Sequence, residues 1–503
     1  MRLWPRDVRR RRGLVIGACI LGIYILVPLW AELTADNEIG ARPPFLDIYR
    51  RSAVLFFAFA PIVLSAPALL VPYGREHVFE PVFVRSLERA GAAFIKLGQW
   101  ASTRPDLLPR SFCEALSKLQ SGAPQHSWAV TRAAVEHAIG GRIESKFPIF
   151  NKEPAASGSI GQVHFAETIR GLPVAVKVRH PHVVSQMRTD FYLLSCFATT
   201  VHRLPGLSWL DLKSVVGQFG SVLQDQSRLD IEAKNLMEAR RNFRRWNDVK
   251  VPRVLFSSPA VIVETRMMGR TIGSYVREGA RGLIPRDQRL FIVRRGVDIY
   301  LQMLLVDNVM HADFHPGNIM YDVEAHSIGL IDFGLVARLS RTEQKYFIGF
   351  LRHLATGDGE AAARCLLGWS DKQACSSRNA CEAFIADVVA EYKRICRGYR
   401  TGTNLGEVLR STLTLVRKHH VSIGGNYMTL VVNALCLESM AKELDPTYNV
   451  LDAAHPLLVV SEMLHAPSPL FRAHLPMLKL FKSLMDLHDA RKVKRLPADV
   501  PEF

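Results

Sequence analysis

The sequence predicts an α+β protein of two lobes, a β-rich one followed by a helical one, with a helical extension ahead of both and apolar, membrane-directed segments at the N-terminus. Three observations predict it. Val174, Val176 and Val178 alternate with Ala175 and Lys177, and Val261-Ile262-Val263-Glu264 forms a short apolar run, the patterns of a half-buried and a fully buried strand. Beyond residue 340 the chain reads as helices, over Tyr346 to Ala355, Ala380 to Ile395 and Tyr427 to Glu443. Ahead of both, Gly13 to Ala31 is nineteen residues without a charge.

In chain order, residues 1–12 form a basic leader with Arg2, Arg6 and Arg9 to Arg12 and one acid, Asp7. Residues 13–31 are long enough to cross a bilayer core of about 30 Å; a targeting segment is the other reading of a basic leader before an apolar run. Residues 52–74 are a second uncharged run, carrying Pro61, Pro67 and Pro72, and read as a second span or an interfacial helix. If both runs span, the leader shares a side with the rest of the chain by the positive-inside tendency. Residues 79–147 form the helical extension. Phe83, Leu87, Ala90, Phe94 and Leu97 make one apolar helix face and leave Arg85, Glu88 and Arg89 to solvent. This sets Lys96-Leu97-Gly98-Gln99 near the end of a packed helix.

The β-rich lobe is expected over 148–263. Ala156-Ser157-Gly158-Ser159-Ile160-Gly161-Gln162-Val163 fits a phosphate-covering loop with Ala156 at the first glycine position. Gly158 and Gly161 carry no Cβ to keep backbone N–H groups from a phosphate. After a turn at Arg170-Gly171, Val174-Ala175-Val176-Lys177 matches the strand whose lysine neutralises the α and β phosphates of a nucleotide. Such a lysine needs a carboxylate to orient it, and the helical stretch Leu223 to Phe243 offers Glu232; an exposed helix charge is the alternative. Glu264 ends a strand that runs into Met267-Met268-Gly269, a hinge whose backbone could bond an adenine edge, or else a plain turn.

The helical lobe, residues 264–503, holds the densest signal: His311-Ala312-Asp313-Phe314-His315-Pro316-Gly317-Asn318, then Asp332-Phe333-Gly334. Asp313 and Asn318 are five apart, the spacing at which an aspartate contacts the accepting hydroxyl or water while an asparagine helps the DFG aspartate hold a divalent metal. The arginine of the usual HRD triplet is missing, and no Ala-Pro-Glu follows. A phosphorylation-controlled activation segment is therefore not expected. His311 and His315 are not expected to ligate metal together, because Pro316 and Gly317 break any helix that would align them.

With these residues in order, the chain resembles the UbiB-type, aarF-domain-containing atypical kinase family. The resemblance covers roughly residues 80 to 350 and includes the family's hallmark at Lys96, Gly98 and Gln99, which small-molecule phosphotransferases lack. It implies a protein-kinase-like fold whose N-terminal extension lies across the site where protein kinases bind peptides. It implies ATP and Mg²⁺ as cofactors, with Asp313, Lys177 and Glu232 catalytic. Ala156, Ser157, Gly158, Ser159, Gly161, Val163, Lys177 and Glu264 would take the nucleotide, and Asn318 and Asp332 the metal. It further implies activity as an ATPase or small-molecule kinase serving ubiquinone or other prenyl-lipid metabolism in mitochondria, plastids or bacteria. Membrane lipid and quinone-biosynthesis proteins would be partners.

Two departures stand out. The family's Ala-rich loop AAAS is here Ala156-Ser157-Gly158-Ser159, and its E-x-D pair ahead of the helix glutamate is here Gln226 and Arg228. The first makes the loop more flexible. The second replaces two anions with an amide and a cation and leaves room for a catalytically weak nucleotide-binding scaffold; Arg228 is expected to contact a phosphate or a lipid-side substrate.

Composition sets the surroundings. Lys and Arg number 64 against 47 Asp and Glu, a net +17, which suits an anionic membrane surface or phosphate-bearing ligands. No zinc spacing or RNA-binding signature accompanies the charge, so nucleic acid is not expected. Eight scattered cysteines without a C-x-x-C pair point to a reduced compartment, not a disulfide framework. The mitochondrial inner membrane is the expected location, with the bacterial inner membrane or plastid as alternatives.

Overall fold

The computed structural model describes residues 43–102, 110–117, 119, 125–203, 216–217, 220, 226–279, 283–369, 377–396, 403–421 and 423–463. The basic leader, the apolar run 13–31, the start of the helix expected from Leu223, and the tail beyond residue 463 lie outside the described residues. The chain divides into two compact units. One takes in the chain up to Arg104, Leu108–Lys234 and Val254–Arg266; the other takes in Asn235–Arg253 and the chain from Met267 on.

The first unit is built on an antiparallel sheet. Its strands run, side by side, Ile149–Phe150, Gly161–Glu167, Pro173–Arg179, Val261–Thr265 and Val254–Ser257, with Ala156–Ser157 also pairing to Gly161–Glu167. The alternation read from the sequence holds. Val174, Val176 and Val178 are wholly buried against Val135, Ile143, Val261 and Val263, while Lys177 is only partly covered. Gly161 opens its strand because a Cβ there would lie 2.5 Å from the Val178 carbonyl oxygen.

A second apolar core in this unit gathers the N-terminal helices. Phe45–Ser65 buries Ile48, Ser52, Leu55 and Ala58, and the long helix Val183–Arg203 adds Val183, Met187, Tyr192, Leu193 and Cys196. Arg51 reaches across to Asp190, with Nε to Oδ1 at 2.5 Å and Nη2 to Oδ2 at 2.8 Å, and also donates to the Ala90 carbonyl. The face expected from Phe83 to Leu97 exists, with Leu87, Ala90 and Phe94 buried and Phe83 and Leu97 partly so. It belongs to two helices, however, not one. Glu80–Ala90 and Ala92–Ser102 are separated by Gly91 at φ 95°, a backbone state open to glycine and strained for other residues.

The second unit carries a four-stranded sheet, Val249–Lys250, Ser327–Leu330, Ile319–Asp322 and Arg270–Thr271, and a short ladder between Met310–His311 and Val336–Ala337. Helices surround an aromatic core in which Trp369 stacks on Tyr427 at 5.0 Å, with Phe347 and Phe350 beside it. The helices expected at Tyr346, Ala380 and Tyr427 run Arg341–Thr356, Arg378–Ile395 and Gly425–Leu444. The first starts one turn earlier than its apolar pattern, because Ser340 and Glu343 close a reciprocal capping box on its first turn.

The chain passes from the first unit to the second between Arg266 and Met267, just before Gly269. Gly269 has φ 89°, and a Cβ on it would sit 2.2 Å from the Tyr321 carbonyl oxygen. Gly269→Ala is accordingly expected to cost about 2–4 kcal/mol, combining a disfavoured φ with a backbone clash. Thermal unfolding reads this directly, and a melting temperature equal to wild type would refute it.

Candidate active site

In the first unit, Lys177 sits mid-strand opposite Val163 and Ile262. Its Nζ lies 2.5 Å from Glu232 Oε1, with the lysine side chain 16% and the glutamate side chain 5% exposed. Glu232 holds that place because the helix Leu229–Asn242 buries Leu229, Ala233, Leu236 and Ala239 on neighbouring positions, which turns the glutamate inward with them. Ahead of it Arg228 is exposed and engaged with Asp230, Nε to Oδ1 at 3.1 Å and Nη2 to Oδ2 at 2.7 Å. That pair holds the Asp230 carboxyl below its usual range. The guanidinium expected to meet a phosphate thus has a protein anion two residues away.

Ala156 to Gly161 form a tight hairpin. Ala156 pairs with Val163 and Ser157 with Gln162, and the Gly158 N–H donates to the Gly161 carbonyl at 2.9 Å. Ser159 lies at the tip. A Cβ on Gly158 would meet nothing closer than 3.7 Å. Glu264 is buried within its strand, opposite Ala175. In the extension, Gln99 Nε2 donates to the Leu119 carbonyl at 2.9 Å, and a Cβ on Gly98 would lie 2.2 Å from a Leu119 methyl. The glycine and glutamine of this motif therefore fasten the helix Ala92–Ser102 to the segment at Leu119. Lys96, two residues ahead of Gly98, is partly exposed on that helix.

The second unit fixes the other candidates by backbone bonds. Asn318 Nδ2 donates to the Asp313 carbonyl at 3.0 Å and approaches Asp313 Oδ2 at 3.4 Å, while Ile331 N–H donates to the Asn318 carbonyl at 3.0 Å. His311 is fully buried. It accepts from the Asp313 N–H on Nδ1 at 3.2 Å, so its proton is on Nε2 and faces the Ile331 carbonyl at 3.1 Å. Burial lowers its pKa, and it stays neutral. Both ring nitrogens of His311 are thereby engaged by backbone groups. Asp332 is exposed at φ 59°, a left-handed state that aspartate tolerates better than most residues, and accepts from the Gly334 N–H.

Three supports escaped the sequence reading. Asn433 donates to the His311 carbonyl at 2.6 Å and accepts from the Phe314 N–H, and Asn235 donates to the Phe333 carbonyl at 3.0 Å. Each is a lone amide on an otherwise buried helix face, a signal that was present but unread. Third, Gln162 and His164 occupy the inward phase of their strand, where apolar residues are expected. Burial also pushes the Cys436 thiol up to about 11, with the Asp313 carboxylate adding to the shift, so that thiol stays protonated.

Five histidines, His126, His164, His180, His311 and His353, have pKa values lowered mainly by burial, His126 to about 4. The unfolded chain takes up these protons near pH 6.5 and the folded chain only at lower pH, so stability is complete above 6.5 and is lost as pH falls toward 4. Asp190, pushed up to about 6 by burial, works the other way as one group. Denaturation midpoints are expected to fall between pH 7 and 5; a flat profile would contradict neutral burial.

The oxygen-only set of Asp313, Asn318 and Asp332 suits Mg²⁺, which takes few protein ligands and keeps waters and phosphate oxygens. Among the described residues no group of three His, Cys, Asp or Glu is arranged to hold a metal. A sheet with a glycine hairpin and a buried lysine–glutamate pair in one unit, and an Asp–Asn loop followed by an Asp-Phe-Gly turn in the other, are together the features of the protein-kinase-like class of phosphotransferases.

Comparison with known proteins narrows the class. Residues 118–366 match the family model for the ABC1 atypical kinase-like domain. A Dictyostelium discoideum protein named probable serine/threonine-protein kinase abkC is 28% identical over 85% of this chain and 70% of its own length. A fission yeast protein, Schizosaccharomyces pombe ABC1 family protein C21C3.03, mitochondrial, is 27% identical over 83% of this chain and 72% of its own. The solved structure of the Rv3197–erythromycin complex from Mycobacterium tuberculosis aligns with TM-score 0.47 at 22% identity, over 73% of this chain and 92% of that one. The chain belongs to the ABC1, or UbiB-type, atypical kinase family and is a kinase-like enzyme whose acceptor is open.

Proposed function

We propose that this chain is a membrane-associated atypical kinase or ATPase that uses Mg-ATP and serves isoprenoid-quinone (ubiquinone) or other lipid metabolism. The observation that carries the reading is the shielded 2.5 Å pair between Lys177 and Glu232, 55 residues apart in sequence. A largely shielded lysine paired with a helix glutamate, on a strand that adjoins the glycine hairpin, is the arrangement that orients a phosphate-binding lysine. In this reading Lys177 receives the α and β phosphates, Glu232 aims it, and the hairpin Ala156–Gly161 with Val163 and Glu264 shapes the nucleotide's place. Asn318 and Asp332 would hold Mg²⁺, which when bound offsets charge on the phosphate oxygens. Asp313 removes the proton from the attacking hydroxyl or water, and the Asn318 amide fixes the carboxylate that does so.

The membrane part rests on the helical stretch Phe45–Leu70, long and apolar enough to cross a bilayer by length and composition. One face, with Ile48, Ser52, Leu55 and Ala58, packs inward beside the Arg51–Asp190 pair, whereas Phe45, Leu46, Phe56, Phe57, Val63 and Leu64 are exposed. That division favours a helix lying along the interface over one that spans. The mitochondrial inner membrane is our proposed location, supported by the name of the fission yeast relative. Mg-ATP binding and phosphate release by wild type and Lys177→Ala, with and without anionic vesicles, test the whole reading. Loss of binding in the variant and vesicle stimulation of wild type are expected. Binding without turnover in wild type would instead favour a nucleotide-binding scaffold.

A further inference from the structure

Behind the glycine hairpin lies a chain of polar groups that the reaction described above does not use. His180 grips the hairpin twice: its N–H donates to the Ile160 carbonyl at 2.8 Å and its Nε2 meets the Gly158 carbonyl at 2.9 Å. Its Nδ1 lies 2.7 Å from His126 Nδ1. His126 Nε2 lies 2.9 Å from the Thr131 hydroxyl, which is 3.2 Å from His164 Nε2. Gln162 clasps the His126 backbone, accepting from its N–H at 3.0 Å and donating to its carbonyl at 3.2 Å, and its amide nitrogen is 3.0 Å from His164 Nε2. His164 Nδ1 ends the chain on the Asn151 carbonyl at 2.9 Å. Thr131, Gln162 and His164 are buried.

The two ends determine the middle. Carbonyl oxygens only accept, so His180 carries its proton on Nε2 and His164 on Nδ1. Neutral rings then offer lone pairs at His180 Nδ1 and His164 Nε2. His126 Nδ1–H fills the first and the Gln162 amide the second, and the Thr131 hydroxyl donates to His126 Nε2. The ring protons each have one place, and the two Gln162 N–H protons are shared among the His126 carbonyl, His164 Nε2 and Thr131 Oγ1.

We infer that this series, from Asn151 through His164, Gln162, Thr131 and His126 to His180, is a positioning strut that fixes the conformation of the hairpin Ala156–Gly161. The inference rests on the hairpin's role as the nucleotide loop only for its consequence; the strut itself is testable without nucleotide. His180 and His126 are positioning residues, acting on the loop and not on the reacting atoms.

The test is amide hydrogen exchange of the full-length chain without nucleotide, followed over the hairpin and, as a control, over Val261–Thr265. His180→Ala is expected to raise hairpin exchange about tenfold, the effect of one lost hydrogen bond, with the control strand unchanged. His180→Gln, which can present an N–H to Gly158, is expected to restore protection. Thr131→Val keeps the shape and removes the hydroxyl, so it carries the test if His180→Ala fails to fold; a local rise at the hairpin is expected. Unchanged hairpin exchange in every folded variant overturns the strut, as does an equal rise in the control strand. Mg-ATP affinity, measured in parallel, separates the two ideas: a loosened hairpin with unaltered affinity keeps the strut and removes the nucleotide role from the loop.

Discussion

Arg51→Ala is expected to lower the unfolding free energy by about 3–5 kcal/mol, because it strands a carboxylate that has no access to water. Asp190 has a fully buried side chain and Arg51 is only 11% exposed. Burial already pushes the Asp190 carboxyl up to about 6 even with the guanidinium beside it, so the pair gains little net energy while intact. Removing one partner therefore costs far more than the pair contributes. The same reasoning predicts recovery in the double variant Arg51→Met, Asp190→Leu, which replaces both charges by apolar volume. Urea denaturation of the wild type, the single variant and the double variant distinguishes these outcomes. A loss below about 1 kcal/mol in Arg51→Ala, the range of exposed pairs, would show that the helix Phe45–Ser65 is not held as described.

Asp313→Asn is expected to reduce phosphate release by about 10²–10⁴-fold, the usual contribution of a positioned general base, while Mg-ATP affinity stays within a few-fold. The separation follows from the bonds around the residue. The main chain at Asp313 is fixed by His311 Nδ1, by Asn318 Nδ2 and by the His315 N–H, so an amide side chain leaves the loop in place and removes only the proton acceptor. Single-turnover phosphate release alongside equilibrium binding gives both quantities. Turnover within threefold of wild type would show that Asp313 does not take the proton.

Much of this was readable from residues alone where a pattern has one structural solution. Val174, Val176 and Val178 point inward because a strand has period two, and Lys177 then has to emerge on the other face. Asp313 and Asn318 meet because a five-residue loop lets the amide reach back to the carbonyl. Elsewhere the one-dimensional pattern was ambiguous. The apolar spacing from Phe83 to Leu97 survives an interruption at Gly91, since two packed helices can share the face that one would present. Asn235, Asn433 and the His126–His180 series were not found, because their meaning comes from partners up to 122 residues away and no local periodicity records such distances. The pairing of Arg228 with Asp230, two positions on, is likewise invisible to a reading that follows apolar spacing alone.

Gly158 differs from the other glycines of the hairpin and hinge. Gly161 and Gly269 are imposed by crowding, whereas a methyl on Gly158 would make only ordinary contact, 3.7 Å from the Gly161 carbonyl oxygen. Alanine there is expected to stabilise the fold by about 0.4–1 kcal/mol through the smaller entropy of its unfolded chain, checked by denaturation. The native sequence thus carries slack at Gly158 that its own packing does not demand, and it forgoes that stability to keep the backbone there bare of a side chain.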